Sequence, residues 1–262
     1  MPTSSASGGR PEAYLAVEGL SAGYGGAPIV NAASAAAGLG EIVTIVGPNG
    51  AGKSTFLKAV VGMIPALGGK VTLAGEDVTN VRANFLARRG LGYVPQVNDV
   101  FDTLTVFDNL EMGGYLLSRP EIARRTEAVL DVFPALKRML RRTASKLSGG
   151  ERKMLAMARV LMLEPKVLVL DEPTSNLSAE LSRVLLEEHV LRLGRAGAAV
   201  MIVEQKALAA LSISDWGYVM AGGSVKVSSS AKDLLSREDI GEVFLGRGTE
   251  QAETPKASDA SS

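Results

Sequence analysis

The run GPNGAGKST, Gly47 to Thr55, places residues that can hold phosphate at a fixed spacing. Gly47, Gly52, Lys53 and Ser54 meet the pattern of glycine, four residues, glycine, lysine and serine or threonine. Glycines let a backbone curl until successive N–H groups point at the β- and γ-phosphates of a nucleotide. Lys53 would set a point charge on those phosphates, and Ser54 can give its hydroxyl to Mg²⁺. Asn49, Gly50 and Thr55 belong to the same cradle and are assigned to nucleotide contact. The bland alternative is a glycine-rich turn with a surface lysine. The β-branched run EIVTIV (Glu41 to Val46) before it and the helix expected from Ser54 to Val61 weigh against that.

A second chemical feature is the pair Asp171–Glu172, which closes VLVLDEP (Val167 to Pro173). Four apolar residues precede the acids, so they belong at the C-terminal end of a buried strand, where open α/β sheets bind ligands. Asp171 suits Mg²⁺, directly or through water. Glu172 suits polarising an attacking water. The alternative, a solvated acidic turn before Pro173, loses ground beside a phosphate loop. An Asn-Lys-x-Asp base-reading motif is missing, which argues against a GTPase.

Third is LSGGE, Leu147 to Glu151. Ser148 stands at capping-box spacing from Glu151, and Met154, Ala158 and Leu161 follow on one helix face. A well-capped amphipathic helix explains the segment. The same physics makes its N-terminus an anion site, with the N–H groups of Ser148, Gly149 and Gly150 expected to be free.

The elements that must position these groups read as alternating strands and helices. Strands are expected at Tyr14 to Glu18, Glu41 to Val46, Lys70 to Leu73, Gly90 to Val94, Val167 to Leu170 and Val200 to Val203. A final hairpin is expected at Tyr218 to Met220 and Val225 to Val227, around Gly222-Gly223. A helix is expected from Leu181 to Arg192, and a mostly helical stretch from about Val97 to Leu163. This order implies an α/β core with a mainly parallel sheet.

Composition sets outer bounds. Basic and acidic residues balance at 28 each, so a general nucleic-acid binder is disfavoured and phosphate affinity must be local. With no cysteine, disulfides and thiolate metal sites are excluded. No apolar run reaches the length of a membrane span, and MPTSSASGGRPE carries no hydrophobic signal core. Residues 1–12 and 248–262, rich in Ser, Ala, Gly and Pro, read as disordered tails around one domain at 13–247.

Phosphate loop, LSGGE and Asp-Glu strand end, in that order, resemble the ATP-binding-cassette family over roughly residues 14–246. The resemblance implies a P-loop NTPase core, a small antiparallel β subdomain near the N-terminus and an inserted helical subdomain at about 97–163. It implies ATP and Mg²⁺ as cofactors and ATP hydrolysis coupled to transport. Ser148, Gly149 and Gly150 would reach the γ-phosphate of an ATP held by the opposite subunit. Tyr24 stands at about the distance of an adenine-stacking aromatic. Gln96, in YVPQ, matches the glutamine that senses Mg²⁺ and water and couples to the membrane subunit. The following segment would expose Phe101 and Phe107 among acids and form the docking surface, the alternative being ordinary helix packing, more so for Phe107 than for Phe101.

Two departures accompany the match. Gln205 takes the place of a histidine after the next strand, where its amide can bond phosphate but carry no charge. The lone histidine, His189, reads as structural or surface. Ser178 stands for an aspartate, and Asn176 for a glycine whose left-handed backbone asparagine tolerates next best. These features are similar to the second ATPase subunit of hydrophobic amino-acid importers, and VFLG near the end fits that branch. The branch implies a second cassette ATPase as partner (a heterodimer, or alternatively a homodimer). It also implies two transmembrane permease subunits, an extracytoplasmic solute-binding protein reached indirectly, no nucleic acid, and a peripheral place on the cytoplasmic membrane face. The alternatives are a regulatory partner with a weakly hydrolytic site, an importer ATPase for urea or short amides, and a soluble cassette acting on ribosomes or DNA.

Overall fold

A computed structural model describes residues 10–97 and 99–237. The expected C-terminal tail, VFLG and most of the expected N-terminal tail lie outside the described residues. Arg10 lies inside that expected N-terminal tail but is held in place. Its Nε donates to Glu41 Oε1 at 2.6 Å, and its guanidinium stacks 4.4 Å from the Trp216 ring centroid.

Two sheets carry the molecule. One is antiparallel and four-stranded, in the order β2-β1-β4-β5, formed by Ala13–Tyr24 (β1), Ala27–Gly38 (β2), Ala66–Leu73 (β4) and Glu76–Asp77 (β5). The other is six-stranded, in the order β10-β9-β3-β8-β7-β6. Its strands are Ile42–Val46 (β3), Leu91–Val94 (β6), Val167–Asp171 (β7), Ala199–Glu204 (β8), Trp216–Ala221 (β9) and Ser224–Ser230 (β10). Every pairing in it is parallel except the β9–β10 hairpin.

Side chains alternate across a strand, so a sheet covered on both faces needs apolar residues at every position. β7 and β8 show this. Val167, Val169, Ala199, Met201 and Val203 join the core beneath the antiparallel sheet and helix Lys53–Val60 (α1). Leu168, Leu170, Val200 and Ile202 join the core beneath the helical lobe. That lobe comprises Val106–Gly113 (α3), Arg119–Val132 (α4), Pro134–Lys137 (α5) and Gly149–Leu161 (α6), after a short helix Ala83–Arg88 (α2).

The expected helix at Leu181 to Arg192 is longer and carries a π-helical segment. Ala179–Arg183 (α7), the π-helical Val184–Val190 and Leu191–Arg195 (α8) follow without a gap. Two short helices, Ala207–Leu211 (α9) and Ala231–Ser236 (α10), close the order. Strand β2 had no counterpart in the sequence reading. Its APIVNAASAAAG is alanine-rich, a helix-forming composition. Burial of Val30, Ala33, Ala35 and Ala37 against β1 and α1 overrides that propensity.

Candidate active site

β3 delivers the phosphate loop. Gly47 leaves the strand at φ 155, and a Cβ there would stand 2.0 Å from the Met220 carbonyl oxygen of β9. Only glycine allows that approach. Gly223 N–H donates to the Ala51 carbonyl at 3.1 Å, tying the loop to the β9–β10 turn. Gly52, at φ 95, caps α1 without a side chain, and the first turn holds no acid. The first N–H groups of α1 and its positive end therefore face outward for an anion. Asn49 and Gly50 are exposed at the crest, and Thr55 is buried behind it.

Lys53 curls back over this loop. Its Nζ donates to the carbonyls of Gly47 at 2.8 Å and Pro48 at 3.0 Å. Burial pulls its pKa down, against the raising influence of Glu172, Asp171 and Glu204. A charge held by neutral carbonyls beside three carboxylates gains from a phosphate placed above it.

The two acids diverge, as their position at a strand end requires. Asp171 is buried. Its Oδ1 accepts from Ser54 Oγ at 2.9 Å, and its Oδ2 accepts from Tyr93 Oη at 3.3 Å. Glu172 leaves the strand in the left-handed region at φ 46, an arrangement costing roughly 1–3 kcal/mol. Its N–H donates to the Val203 carbonyl at 2.9 Å, and its Oε2 accepts from Gln96 Nε2 at 2.7 Å. Burial raises its pKa most, opposed by Lys53 and Lys153 and reinforced by Glu204 and Asp171. A carboxylate made more basic in this way is a better proton acceptor. Burial, followed by Asp171, also pushes the Tyr93 phenol well up, so it acts as a donor.

Behind the acids the chain is stitched by residues the sequence reading did not single out. Glu204, 1% exposed, accepts from the N–H groups of Thr174 at 2.8 Å and Gln205 at 3.1 Å. Lys206 Nζ donates to the Leu177 carbonyl at 2.9 Å and to Ser182 Oγ at 3.1 Å. An acid closing the apolar run AVMIVE was the available signal for Glu204, the same signal that marks Asp171. Asn176 sits at φ 60, as its residue type allows. Ser178 caps α7, its Oγ accepting from Leu181 N at 3.2 Å, a task aspartate performs equally well.

Other expected positions fall as follows. Gln96 meets Glu172 directly. Gln205 is exposed, and no hydrogen bond from its side chain occurs among the described residues. Tyr24 ends β1 and is 49% exposed. His189 is buried, its ring 4.6 Å from Phe133, so it is structural rather than superficial. Phe101 and Phe107 are both exposed, at 42% and 39%, so ordinary helix packing buries neither.

The helix-start site at LSGGE needs a correction. Ser148 N–H is not free, because Glu151 Oε2 accepts it at 2.8 Å while Ser148 Oγ accepts from Glu151 N. The capping box thus consumes one of the three expected donors. Gly149 and Gly150 keep theirs, packed beside Leu177 and Leu181. Among the described residues no hydrogen bond or ion pair joins this helix start to the phosphate loop.

Comparisons with known proteins agree with this geometry. The family model described as ABC transporter matches residues 30–175. A probable branched-chain amino acid transport ATP-binding protein LivF of Archaeoglobus fulgidus is 37% identical, over 87% of this chain and 96% of its own length. The high-affinity branched-chain amino acid transport ATP-binding protein BraG of Pseudomonas aeruginosa is 35% identical, over 88% of this chain and 99% of its own. Among solved structures, a nucleotide-free ATP-binding cassette from an ABC transporter superposes with a TM-score of 0.80 at 25% identity, covering 89% of this chain and 99% of that one. An ABC-transporter cassette in its ADP conformation gives a TM-score of 0.79 at 26% identity, covering 88% and 98%. A phosphate loop facing an Asp-Glu strand end, inside a fold and a sequence shared with these proteins over 87–89% of the chain, makes the chain a member of the ABC transporter family, an ATPase whose hydrolysis is coupled to transport.

Proposed function

We propose that this chain is the ATP-hydrolysing subunit of an importer for branched-chain amino acids. The carrying observation is its likeness, over 87% and 88% of the chain, to the LivF and BraG branched-chain amino acid transport ATP-binding proteins of two organisms, the first named as probable. In this reading Gly47, Asn49, Gly50, Gly52, Lys53, Ser54 and Thr55 hold the triphosphate, and Tyr24 stacks on the base. Glu172 accepts the proton of the attacking water while Gln96 orients its carboxylate. Gln205 reaches the γ-phosphate through its amide, and the Gly149 and Gly150 N–H groups, with the Ser148 hydroxyl rather than its N–H, meet the nucleotide of a second cassette.

The residues present suit Mg²⁺. A serine hydroxyl and a buried carboxylate stand 2.9 Å apart beside the phosphate loop, with Gln96 nearby. No cluster of three or more His, Cys, Asp or Glu occurs among the described residues, in keeping with an ion held largely by phosphate and water. When bound, Mg²⁺ neutralises charge on the phosphates. Ser54, Asp171 and Gln96 would hold it.

No helix among the described residues is long and apolar enough to cross a membrane. Association with a membrane would run through permease subunits. A groove of about 360 Å³ between α2, β6 and the helical lobe suits a permease segment, lined by Tyr93, Pro95, Met112, Tyr115 and Arg159. Phe85, Val97 and Phe101 stay exposed in the segments around it. The resulting assembly holds two permease subunits, a second cassette ATPase and, outside, a solute-binding protein.

A mild-detergent pull-down of the tagged chain from its native membranes tests this. Two multi-spanning proteins and a second cassette should co-purify, and leucine with its binding protein should stimulate ATP hydrolysis. Stimulation by urea or a short amide alone would replace the solute. Recovery of only ribosomal or DNA-repair proteins would refute the importer.

A further inference from the structure

Lys153 is 7% exposed, little more than one turn into α6 after its Ser148 cap. A buried ammonium needs partners, and this one has two. Its Nζ donates to the Gln96 backbone carbonyl at 2.7 Å and to Asp99 Oδ2 at 2.9 Å. Asp99, 6% exposed, accepts a second bond from Arg152 Nε at 3.3 Å. Nearly two turns further on, Arg159 donates to the Asp99 carbonyl and lies 4.4 Å above the Phe101 ring. Helix α6 therefore grips Gln96, Asp99 and Phe101 through three cations. Only Lys153 touches Gln96 itself, and the Gln96 amide in turn holds Glu172 Oε2 at 2.7 Å.

We propose that Lys153 is a positioning residue for hydrolysis: it fixes Gln96 to the helix that begins at Ser148, so that displacement of this helix is passed to Glu172. The inference rests on Glu172 as the proton acceptor. A bond of 2.7 Å tolerates only a few tenths of an ångström before it weakens, so the Gln96 backbone follows α6. Among the described residues no hydrogen bond joins Lys153 to the phosphate loop, and nucleotide affinity is left out of the coupling. Arg152 and Arg159 hold Asp99 and Phe101, and so steady the segment without touching the group that meets Glu172.

The test measures kcat and KM for ATP hydrolysis by the full chain purified with its co-purifying subunits, and ATP affinity by direct binding. The variants are Lys153→Met, Lys153→Gln, Lys153→Arg, Gln96→Ala, Lys153→Met with Gln96→Ala, and Glu172→Gln. Lys153→Met is expected to lower kcat about tenfold, the size of a contact coupling, with KM and affinity unchanged. Lys153→Arg, which keeps charge and donors, should recover most of the loss. The double variant should be no slower than Gln96→Ala alone, because both act through one contact. If Lys153→Met fails to fold, Lys153→Gln supplies the same comparison. Unchanged kcat, losses that multiply in the double variant, or affinity falling in step with kcat would each overturn the role. Full hydrolysis by Glu172→Gln would instead remove the underlying proton acceptor, a separate outcome.

Discussion

Helices α1 and α6 both begin at glycines that could receive an anion, yet their ends are finished differently. α1 starts at Gly52, with no side-chain cap, no acid in its first turn and Lys53 as its first residue. α6 starts at Ser148, closes a capping box and carries Glu151 in its first turn. The α1 end is electrostatically open, and Ser54, Asp171 and Glu172 already surround it. The α6 end has satisfied itself: a carboxylate sits where an anion would come, leaving Gly149 and Gly150 as donors. One end can bind phosphate alone. The other stabilises its own helix first and needs the anion presented by a second surface. An open helix end in one chain and a self-capped end that awaits a second surface suit the paired ATPase proposed above.

Variants that act on one end and spare the other sharpen this contrast. The largest effect belongs beside α1. Glu172→Gln should slow hydrolysis about 10²–10⁴-fold, the worth of a general base, while ATP affinity holds. Single-turnover assays with labelled ATP check this, and near-normal turnover would take the proton away from Glu172. Next, Lys53→Ala should weaken ATP binding by the isolated chain roughly 10²-fold, about two charge-assisted hydrogen bonds' worth. Calorimetry that found unchanged affinity would contradict the open α1 end.

At α6 the same kind of change should act on stability. Ser148→Ala removes a cap worth about 1 kcal/mol, lowering Tm by about 2–4 °C, with ATP affinity of the isolated chain untouched. An affinity loss matching that of Lys53→Ala would break the comparison, since both helix ends would then serve one nucleotide.

The smallest effect belongs to His189, whose ring meets Phe133 of the lobe. Burial is the main cause lowering the His189 pKa, with Glu188 and a hydrogen bond to the Val132 carbonyl opposing it. The folded state therefore prefers neutral imidazole. Its stabilising share is complete above the unfolded value of about 6.5 and is lost as pH falls through the lower folded value. Urea midpoints measured from about pH 7 to about pH 5 should fall less steeply in His189→Gln than in the parent chain. Identical slopes would show that this imidazole is not the titrating group.

Much of this site was legible before any coordinates. Spacing within GPNGAGKST places backbone donors, a lysine and a hydroxyl in one loop, because local backbone geometry alone makes the cradle. Apolar runs ending in Asp171-Glu172 locate a buried strand and its ligand end, because a strand covered on both faces leaves no room for polar residues before it ends. Asn176 in the left-handed region follows from residue type. Ser148 with Glu151 reads as a capping box, and the loss of Ser148 N–H to Glu151 was implicit in that same box.

What stayed hidden depends on contacts distant in sequence. β2 is a strand because Val30 and its alanines fill space against β1 and α1, against their local preference. Lys153 reads as one more basic residue on a helix until folding brings Gln96 and Asp99, more than fifty positions earlier, against its ammonium. Glu204 and Lys206 hold Thr174, Leu177 and Ser182 only because β7 and β8 lie side by side. Local spacing and hydrophobic order thus determined which groups are proposed to carry the chemistry. The tertiary structure decided which groups hold them in place, since burial and charge pairing depend on neighbours that only the folded chain supplies.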